Sequence, residues 1–426
     1  MRDILLTLIV FGSLPYILKY SYVGIYVWSW LSYMNPHRLT WGFAFYMPFA
    51  QIVAVTLLVS IFLSKEKKNI PVHPTLVLWI FFIFWMTLTT LFAIYQDAAF
   101  AQYIKVLKIQ IPTFLTLMLI RNKQQLNVLI WVIVCSIGFY SVKGGVFTLL
   151  TAGTSRVWGP PGGFIEENNA LALATLMIIP LMIYLRSITE KKLIRHGLAG
   201  AVFLSLVSVL GSQSRGAFLT IIVVGGFFWW KSRNKLLSGM LIVILAMAGL
   251  SFMPASWHER MDSIQNYQED TSAMGRINAW GYALNLSSHR LTGGGFESWS
   301  ASTFRQYAPN PDTWHAAHSI YFAVLGDHGW PGLIVFLSIL LLTWLNLSHV
   351  IRQGARSAEN KEFQFLAKMI QVSLVAYFAG GAFLSLAYFD LPWHLIALVY
   401  VVRYRLLSAE GPVELAAGNQ RKIMPT

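Results

Sequence analysis

The chain has 426 residues, of which 56% are hydrophobic and only 12% are charged, and its mean hydropathy is +0.56. This composition excludes an ordinary soluble domain and indicates a membrane protein. The formal net charge is +14, but the basic residues cluster in short segments between apolar runs, which argues against a nucleic-acid-binding protein. Cys135 is the single cysteine and lies within an apolar run, so a disulfide framework and a cysteine-based metal site are excluded.

Apolar runs that are long enough to cross a bilayer as helices recur along most of the chain. We predict an all-α, polytopic membrane protein with about 12 transmembrane helices, near residues 4–33, 43–63, 75–95, 101–120, 124–150, 168–186, 195–211, 216–230, 236–253, 318–350, 363–387 and 391–405. The chain starts without a small-residue cleavage site, so we expect a first transmembrane helix rather than a removed signal. This first run contains Pro15 and Lys19, which favours a tilted or kinked helix or a partial hairpin.

The placement of basic residues orients these runs across the membrane. If the N-terminus is cytoplasmic, every basic cluster is cytoplasmic as well: Lys65/Lys67/Lys68, Arg121/Lys123, Arg186/Lys191/Lys192/Arg195, Lys231/Arg233/Lys235, Arg352/Arg356/Lys361 and Arg403/Arg405/Arg421/Lys422. The poorly basic connections are then outside, at 34–42, 96–100, 151–167, 212–215, 254–317 and 388–390. Both termini become cytoplasmic, and the chain divides into membrane helices (1–253), a large periplasmic loop (254–317), and membrane helices with a cytoplasmic tail (318–426).

Two of the predicted outside segments carry most of the polar residues on that face. Loop 151–167 ends in Glu166 and Glu167, which we expect either to cap the following helix or to orient an acceptor. Loop 254–317 is much longer than an ordinary connection, and such loops are usually functional. It contains a weak helical pattern at 273–288 and several aromatic residues, which either anchor the protein at the lipid headgroups or stack on sugar rings.

Arginines on this face are candidates for binding an anionic group such as a diphosphate. Arg215 lies in the sequence SQSRG at the outer end of a predicted span, where a charge is costly and marks a functional site. Arg276 lies in GRINAW, at a helical spacing that aligns it with Trp280. Because a guanidinium binds phosphate through two parallel hydrogen bonds, we assign Arg215, Arg276 and Arg290 to diphosphate binding. Two further loop arginines are expected to be solvated or paired: Arg260 and Arg305.

Two histidines lie where the large loop meets the next apolar run. Histidine titrates near neutrality and can accept a proton from a hydroxyl, so we assign His318 as a general base; helix capping or interface hydrogen bonding is the alternative. We place four further residues in a candidate acceptor or donor site: His315, Glu166, Glu167 and Trp280. No HExxH or DxD motif accompanies the histidines, so we expect neither a metal nor a cofactor. His328, among glycines, is expected to be structural.

Four segments of the chain together resemble the O-antigen ligase and O-antigen polymerase superfamily of membrane glycosyltransferases. They are SQSRG at 212–216, GRINAW at 275–280, LTGGGFES at 291–298 and HAAHSIYFAVLGDHGWPGL at 315–333. The chain departs from the superfamily pattern at Ser319, where Asn is frequent, and at Asp327-His328, where Glu is common. The N-terminal sequence WSWLSYMNPHRLTWGFAFYMPFAQIVA at 28–54 resembles the exosortase-associated O-glycosylation ligase branch.

The resemblance implies a GT-C-like enzyme of the bacterial inner membrane whose active site faces the periplasm. It implies transfer of a glycan from undecaprenyl diphosphate, with inversion at the anomeric carbon and without a metal. Arginines would bind the diphosphate, and a histidine would activate the acceptor hydroxyl. We predict an O-antigen ligase of lipopolysaccharide biosynthesis. Its expected partners are the lipid-linked glycan donor, lipid A-core or another lipid or protein acceptor, and membrane lipids, with no nucleic acid.

Other functions remain open at this point. A repeat-unit polymerase and a protein O-glycosylating transferase would use the same chemistry on different acceptors. A transporter of lipid-linked glycans would have ionisable residues near the middle of its spans and inverted repeats, whereas the charges here lie mostly at span ends and no repeat is evident. A cysteine-dependent membrane peptidase is disfavoured because Cys135 lies in the middle of a predicted span.

Overall fold

The computed structural model describes residues 1–64, 69–232, 234–262, 264, 268 and 270–407. Some of the basic residues that oriented the predicted spans fall outside these described residues, namely Lys65, Lys67, Lys68, Arg233, Arg421 and Lys422.

Within the described residues the chain is helical and contains no strand. The α-helices are α1 (Arg2–Lys19), α2 (Ser21–Met34), α3 (Phe49–Leu63), α4 (Pro74–Leu91), α5 (Gln96–Leu119), α6 (Lys123–Leu150), α7 (Asn168–Ile188), α8 (Lys192–Gly211), α9 (Arg215–Lys231), α10 (Lys235–Phe252), α11 (Ala255–Asp262), α12 (Thr271–His289), α13 (Ala301–Tyr307), α14 (Ile320–Gly354), α15 (Lys361–Gly381) and α16 (Asp390–Val401). Short 3-10 helices occupy Pro36–Leu39 and Phe43–Tyr46, and a π-helical turn, Val402–Leu406, continues α16.

Seven of the described helices are long and apolar enough to cross a membrane: α4, α6, α7, α8, α10, α14 and α15. This confirms the predicted class, an all-α polytopic membrane protein. The other predicted spans also coincide with helices, but these are shorter or more charged; α5, for example, contains Lys105 and Lys108. The number of 12 spans therefore stays a prediction.

The first predicted span, 4–33, is two helices rather than one. The backbone is extended at Tyr20, between α1 and α2. Asp3 accepts hydrogen bonds from the backbone N–H groups of Gly42 (3.0 Å) and Ala44 (3.1 Å), just beyond the end of α2, so the two helices form a hairpin. The structure agrees with the hairpin alternative for this run. The first residues share a face with the loop that follows α2, so the prediction of a cytoplasmic N-terminus opposite an outside loop 34–42 is wrong.

The length of α1 explains why this run contains two helices. An 18-residue helix is roughly 27 Å long, close to the hydrocarbon thickness of a bilayer. Lys19 is the last residue of α1, and its charge would be costly inside the hydrocarbon. The helix therefore ends there, and the chain reverses direction into α2.

Contacts between the remaining loops agree with the predicted alternation of faces. On the face predicted to be outside, Ile94 donates its backbone N–H to the carbonyl of Gly294 (2.9 Å). On the opposite face, Lys123 forms an ion pair with Glu362 (2.5 Å) at the starts of α6 and α15. Helix α7 is buried along nearly all of its length, packed among α6, α8 and α15.

The large loop 254–317 is folded rather than irregular, because it contains α11, α12 and α13. The weak helical pattern at 273–288 is confirmed by α12, which extends slightly beyond it on both sides. This loop, the SQSRG turn between α8 and α9, and the segment before α14 together build the candidate site.

Candidate functional site

The SQSRG turn is fixed by hydrogen bonds from its own residues and from neighbouring loops. Ser214 is the N-cap of α9, which makes Arg215 the first residue of that helix. Gln213 has a left-handed backbone (φ 53°) and donates from its amide to the carbonyl of Gly153 (3.0 Å). Asn168, the first residue of α7, donates to the carbonyl of Ser212 in the same turn (2.7 Å). These bonds hold the position of Arg215 relative to α7 and loop 151–167.

Arg215 is linked to α12 through an acidic residue. Its guanidinium forms an ion pair with Asp270, and the two side chains are only 21% and 16% exposed. Asp270 is also the N-cap of α12 and accepts the backbone N–H of Ser272 (3.0 Å). Burial alone would raise the pKa of Asp270, but the hydrogen bonds from Arg215 and from the helix N-terminus outweigh it and lower the pKa.

The start of α12 borders a cavity of about 210 Å³, lined by Thr271, Ser272, Arg276, His315 and His318. The ring of His315 packs directly on Gly275, where an added Cβ would lie 2.5 Å from the ring, so this residue of GRINAW must be small. Arg276 is half-buried, and its Nε has no hydrogen-bond partner among the described residues. Burial lowers the pKa of Arg276, and the nearby Arg215 lowers it further. The cavity is therefore lined by the cationic side chain of Arg276, whose Nε–H group is not hydrogen-bonded within the described residues.

His318 is held in an unusual backbone conformation at the edge of this cavity. Its φ is 41°, in the left-handed region, which costs free energy for a residue other than glycine. Trp280 donates its indole N–H to the carbonyl of Ala317 (2.9 Å) and stacks on Phe322, with the ring centroids 4.9 Å apart. Trp280 thus braces the backbone immediately before His318. The N-cap of α14 is Ser319, so His318 does not cap that helix.

The electrostatic surroundings of His318 favour its neutral form. Burial lowers the pKa of the imidazole, and Arg276 lowers it further, while Glu167 acts in the opposite direction. Since the ordinary value is 6.5, the side chain is mostly neutral at pH 7 and able to accept a proton.

The two neighbouring glutamates differ in their positions. Glu166 accepts the backbone N–H of Gly162 (2.7 Å), and its own carbonyl accepts the N–H of Gly159 (2.8 Å), so it closes the turn of loop 151–167. Glu167 is the N-cap residue of α7 but its side chain forms no capping hydrogen bond. The expectation that these side chains cap α7 is therefore wrong. Of the pair, Glu167 acts on the pKa of His318.

A second polar region lies around the three glycines of LTGGGFES, and we call residues 290–299 with 326–329 the glycine interlock. The N–H groups of Gly294 and Gly295 donate to the carbonyls of Gly326 (2.8 Å) and Asp327 (3.0 Å) inside α14. Gly329 interrupts α14 with φ 65°, and a Cβ there would lie 2.0 Å from the carbonyl oxygen of Leu291. The glycines therefore allow the backbone of the loop and the backbone of α14 to approach each other closely.

Asp327 and one ring nitrogen of His328, both in the glycine interlock, have hydrogen-bond partners within the protein, whereas the buried Nε2 of His328 has none among the described residues. Asp327 accepts the indole N–H of Trp299 (2.8 Å) and the hydroxyl of Tyr388 (3.0 Å). His328 is fully buried and its Nδ1 lies 2.7 Å from the hydroxyl of Thr89, which agrees with a structural role.

Arg290 belongs to the glycine interlock and does not line the cavity. Its guanidinium donates to the carbonyls of Phe92 (2.8 Å) and Gly293 (3.0 Å), so it ties the end of α4 to the loop. The structure thus brings together Arg215, Arg276 and His318, with His315 and Glu167 beside them, and places Arg290 elsewhere.

Two residues of the site, Asp270 and Arg260, differ from the predictions made from the sequence. Asp270 was not singled out, although an acidic residue directly before the helical pattern of α12 is a recognisable N-cap signal. Arg260, expected to be a solvated or paired charge, donates to the carbonyl of Gln213 (2.8 Å). Burial lowers the pKa of Arg260, and Arg156 and Arg215 lower it further, so it joins the same basic cluster.

Residues 200–337 match the family described as O-Antigen ligase, and residues 1–190 match a family of unknown function. The chain is thus similar to the O-antigen ligases. The first match contains the SQSRG turn, α12 and His318, and it supports the O-antigen ligase and polymerase superfamily and membrane glycosyl transfer of that type. No curated protein matches the chain. Among the described residues, no group of three or more His, Cys, Asp or Glu side chains is arranged to hold a metal ion.

Proposed function

We propose that this chain transfers a glycan from undecaprenyl diphosphate to the hydroxyl of an acceptor. The observation that carries the proposal is the convergence of Arg215, Arg276 and His318: Arg276 and His318 line one cavity, and Arg215 is joined to the same end of α12 through Asp270. The O-antigen ligase match over 200–337 supports the same type of reaction.

The arginines act on the leaving group. As the bond between the anomeric carbon and the diphosphate oxygen breaks, its electron pair stays on that oxygen and negative charge develops there. Guanidinium groups aimed at this position stabilise the transition state, and they do so more strongly in a partly buried cavity than in water. The Arg215 side chain is only 21% exposed and Arg276 is half-buried, which suits this role.

His318 acts on the acceptor. Its neutral imidazole takes the proton of the acceptor hydroxyl while the hydroxyl oxygen forms the new bond to the anomeric carbon. A direct displacement of this kind inverts the anomeric centre and leaves undecaprenyl diphosphate as the second product. The strained backbone of His318, braced by Trp280, keeps the ring at the cavity edge. The protein groups supply both charge stabilisation and proton transfer, and the proposed reaction uses no metal.

For the acceptor we propose lipid A-core at the periplasmic face of the bacterial inner membrane, which makes the chain an O-antigen ligase. The match over 200–337 supports glycosyl transfer of the O-antigen ligase and polymerase type, and a repeat-unit polymerase and a protein O-glycosylating transferase are the alternatives to this choice. The resemblance of residues 28–54 to the exosortase-associated branch does not identify an acceptor, so the test compares acceptors directly.

The test is an assay of the purified full chain in lipid nanodiscs with undecaprenyl-diphosphate glycan and, separately, lipid A-core, a second glycan donor or a peptide. We expect glycosylated lipid A-core together with an equal amount of undecaprenyl diphosphate, unchanged after exhaustive EDTA treatment. Turnover that is lost in EDTA and restored by Mg²⁺ or Mn²⁺ would contradict the metal-free mechanism. Movement of intact donor across a vesicle membrane, without any transfer product, would indicate a transporter instead.

A further inference from the structure

Asp270 occupies a position in which one carboxylate serves two partners. Its Oδ1 accepts the backbone N–H of Ser272 at the start of α12 (3.0 Å), and its Oδ2 forms the ion pair with Arg215. The next two residues of the chain, Thr271 and Ser272, line the cavity, as does Arg276 one turn further along the helix.

These are the groups that a phosphate would use. A helix N-terminus and a guanidinium form an anion-binding arrangement, and a carboxylate already lies between them. Asp270 forms the ion pair with Arg215, and the same carboxylate raises the pKa of Arg260 and of Arg276, so it interacts with all three guanidinium groups. A donor diphosphate carries more negative charge than one carboxylate, so it can compete for the same guanidinium.

We propose that Asp270 is a placeholder for the donor diphosphate: its carboxylate neutralises and orients Arg215 before the donor binds, and the diphosphate then displaces it from that guanidinium. This inference rests on the proposed function. Asp270 is a positioning residue that sets donor affinity and takes no part in the chemical step. The exchange keeps Arg215 ordered in a partly buried position, where an unpaired guanidinium would be costly.

The substitution Asp270→Asn separates the two roles of the side chain. Asparagine is as good an N-cap as aspartate, so the bond to Ser272 is retained, but the negative charge opposite Arg215 is lost. Because the carboxylate no longer competes for the guanidinium of Arg215, we expect Asp270→Asn to bind inorganic pyrophosphate about tenfold more tightly than the natural protein, which corresponds to about 1.4 kcal/mol. The measurement is isothermal titration of the full chain in detergent with inorganic pyrophosphate.

Asp312→Asn is the matched control, because it removes one acidic charge from an exposed position of the same large loop. It should leave pyrophosphate affinity unchanged. Arg215→Gln should weaken binding, and adding Asp270→Asn to Arg215→Gln should raise affinity by clearly less than tenfold, since the ion pair is already absent and only the effect of the carboxylate on Arg260 and Arg276 remains. This dependence on Arg215 would not arise if Asp270 merely stabilised the loop.

Equal or weaker pyrophosphate binding by Asp270→Asn would overturn the placeholder role, as would the absence of binding by both proteins. The two hypotheses fail in different ways. If Arg215→Gln leaves both glycan transfer and pyrophosphate affinity unchanged, the diphosphate site itself is wrong. If Arg215→Gln weakens both but Asp270→Asn does not tighten binding, only the placeholder is wrong.

Discussion

The cavity at the start of α12 and the glycine interlock contain the same kinds of residue in opposite situations. In the interlock, Arg290 donates to two backbone carbonyls and His328 is buried beside Thr89. At the cavity, Arg276 has an Nε without a partner among the described residues, and His318 has a strained backbone. His328 also has a buried Nε2 without a partner among the described residues, but its ring is enclosed by Phe82, Phe296 and Tyr388. An arginine or histidine in a motif is therefore a candidate for chemistry when an unsatisfied polar group coincides with a position that lines a cavity, as in Arg276.

The comparison first requires that both regions lie on one side of the membrane. On a Cys135→Ser background, single cysteines at Ser272, beside the cavity, and at Ser302, beside the interlock, should label fully with an impermeant maleimide in spheroplasts. Cysteines at Ser187 and Ser357 should not label until the membrane is permeabilised.

A cysteine added before Met1 sharpens this map. Because α1 and α2 form a hairpin, we expect that cysteine to label together with Ser302 and not with Ser187. Labelling of the added cysteine only after permeabilisation would mean that the first apolar run crosses the membrane once.

The two histidines should differ most in turnover. His318→Ala should lower glycan transfer by about 10²–10⁴-fold, the usual range for loss of a general base, while donor binding survives. His328→Gln serves as the comparison: it should lower the melting temperature, with much less effect on the kcat of the folded protein. His318→Gln keeps hydrogen bonding without accepting a proton at neutral pH, so near-normal transfer by this variant would remove His318 from the base role.

The next largest difference is expected between the arginines near the cavity and Arg290 of the glycine interlock. Arg215→Lys and Arg276→Lys keep the charge but lose the two parallel donors, and we expect kcat to fall by about 10²–10³-fold with near-normal expression. Arg290→Lys should instead reduce thermal stability, because its bonds to Phe92 and Gly293 hold the interlock together. An equal loss of kcat in all three variants would break the distinction between the two regions.

The smallest expected effect is a change in pH dependence. Transfer should fall as His318 becomes protonated, on an acid limb that lies below pH 6.5 because burial and Arg276 lower its pKa. Glu167→Gln removes a negative charge that stabilises the protonated ring, so the pKa falls and the limb should move to lower pH. Glu166→Gln is the control, since Glu166 bonds to Gly162 and should leave the limb in place.

The helical architecture was predictable because apolar runs of bilayer length have few other stable states. The exception was the run 4–33, where composition alone does not distinguish one long helix from two short ones. Contacts of Asp3 with residues beyond α2 resolve this, and they join positions about 40 residues apart.

The residues of the candidate site were predictable where a local sequence motif marks them. Arg215, Arg276 and His318 were assigned from local sequence, and the structure brings them together. Arg290 has the same chemistry, but its partner carbonyl at Phe92 is distant in sequence, so no local pattern shows that it is occupied. Trp280 was assigned to substrate, yet its indole N–H is bonded to the backbone before His318.

The most direct test of the central claim asks where the donor's diphosphate lies. A photoreactive amino acid placed at Ser272, and in a second protein at Ser302, is exposed to radiolabelled undecaprenyl-diphosphate glycan in nanodiscs and irradiated. We expect crosslinking at Ser272 that an excess of unlabelled donor abolishes, and none at Ser302. Equal crosslinking at both positions, or crosslinking at Ser302 alone, would contradict the assignment of the cavity as the donor site.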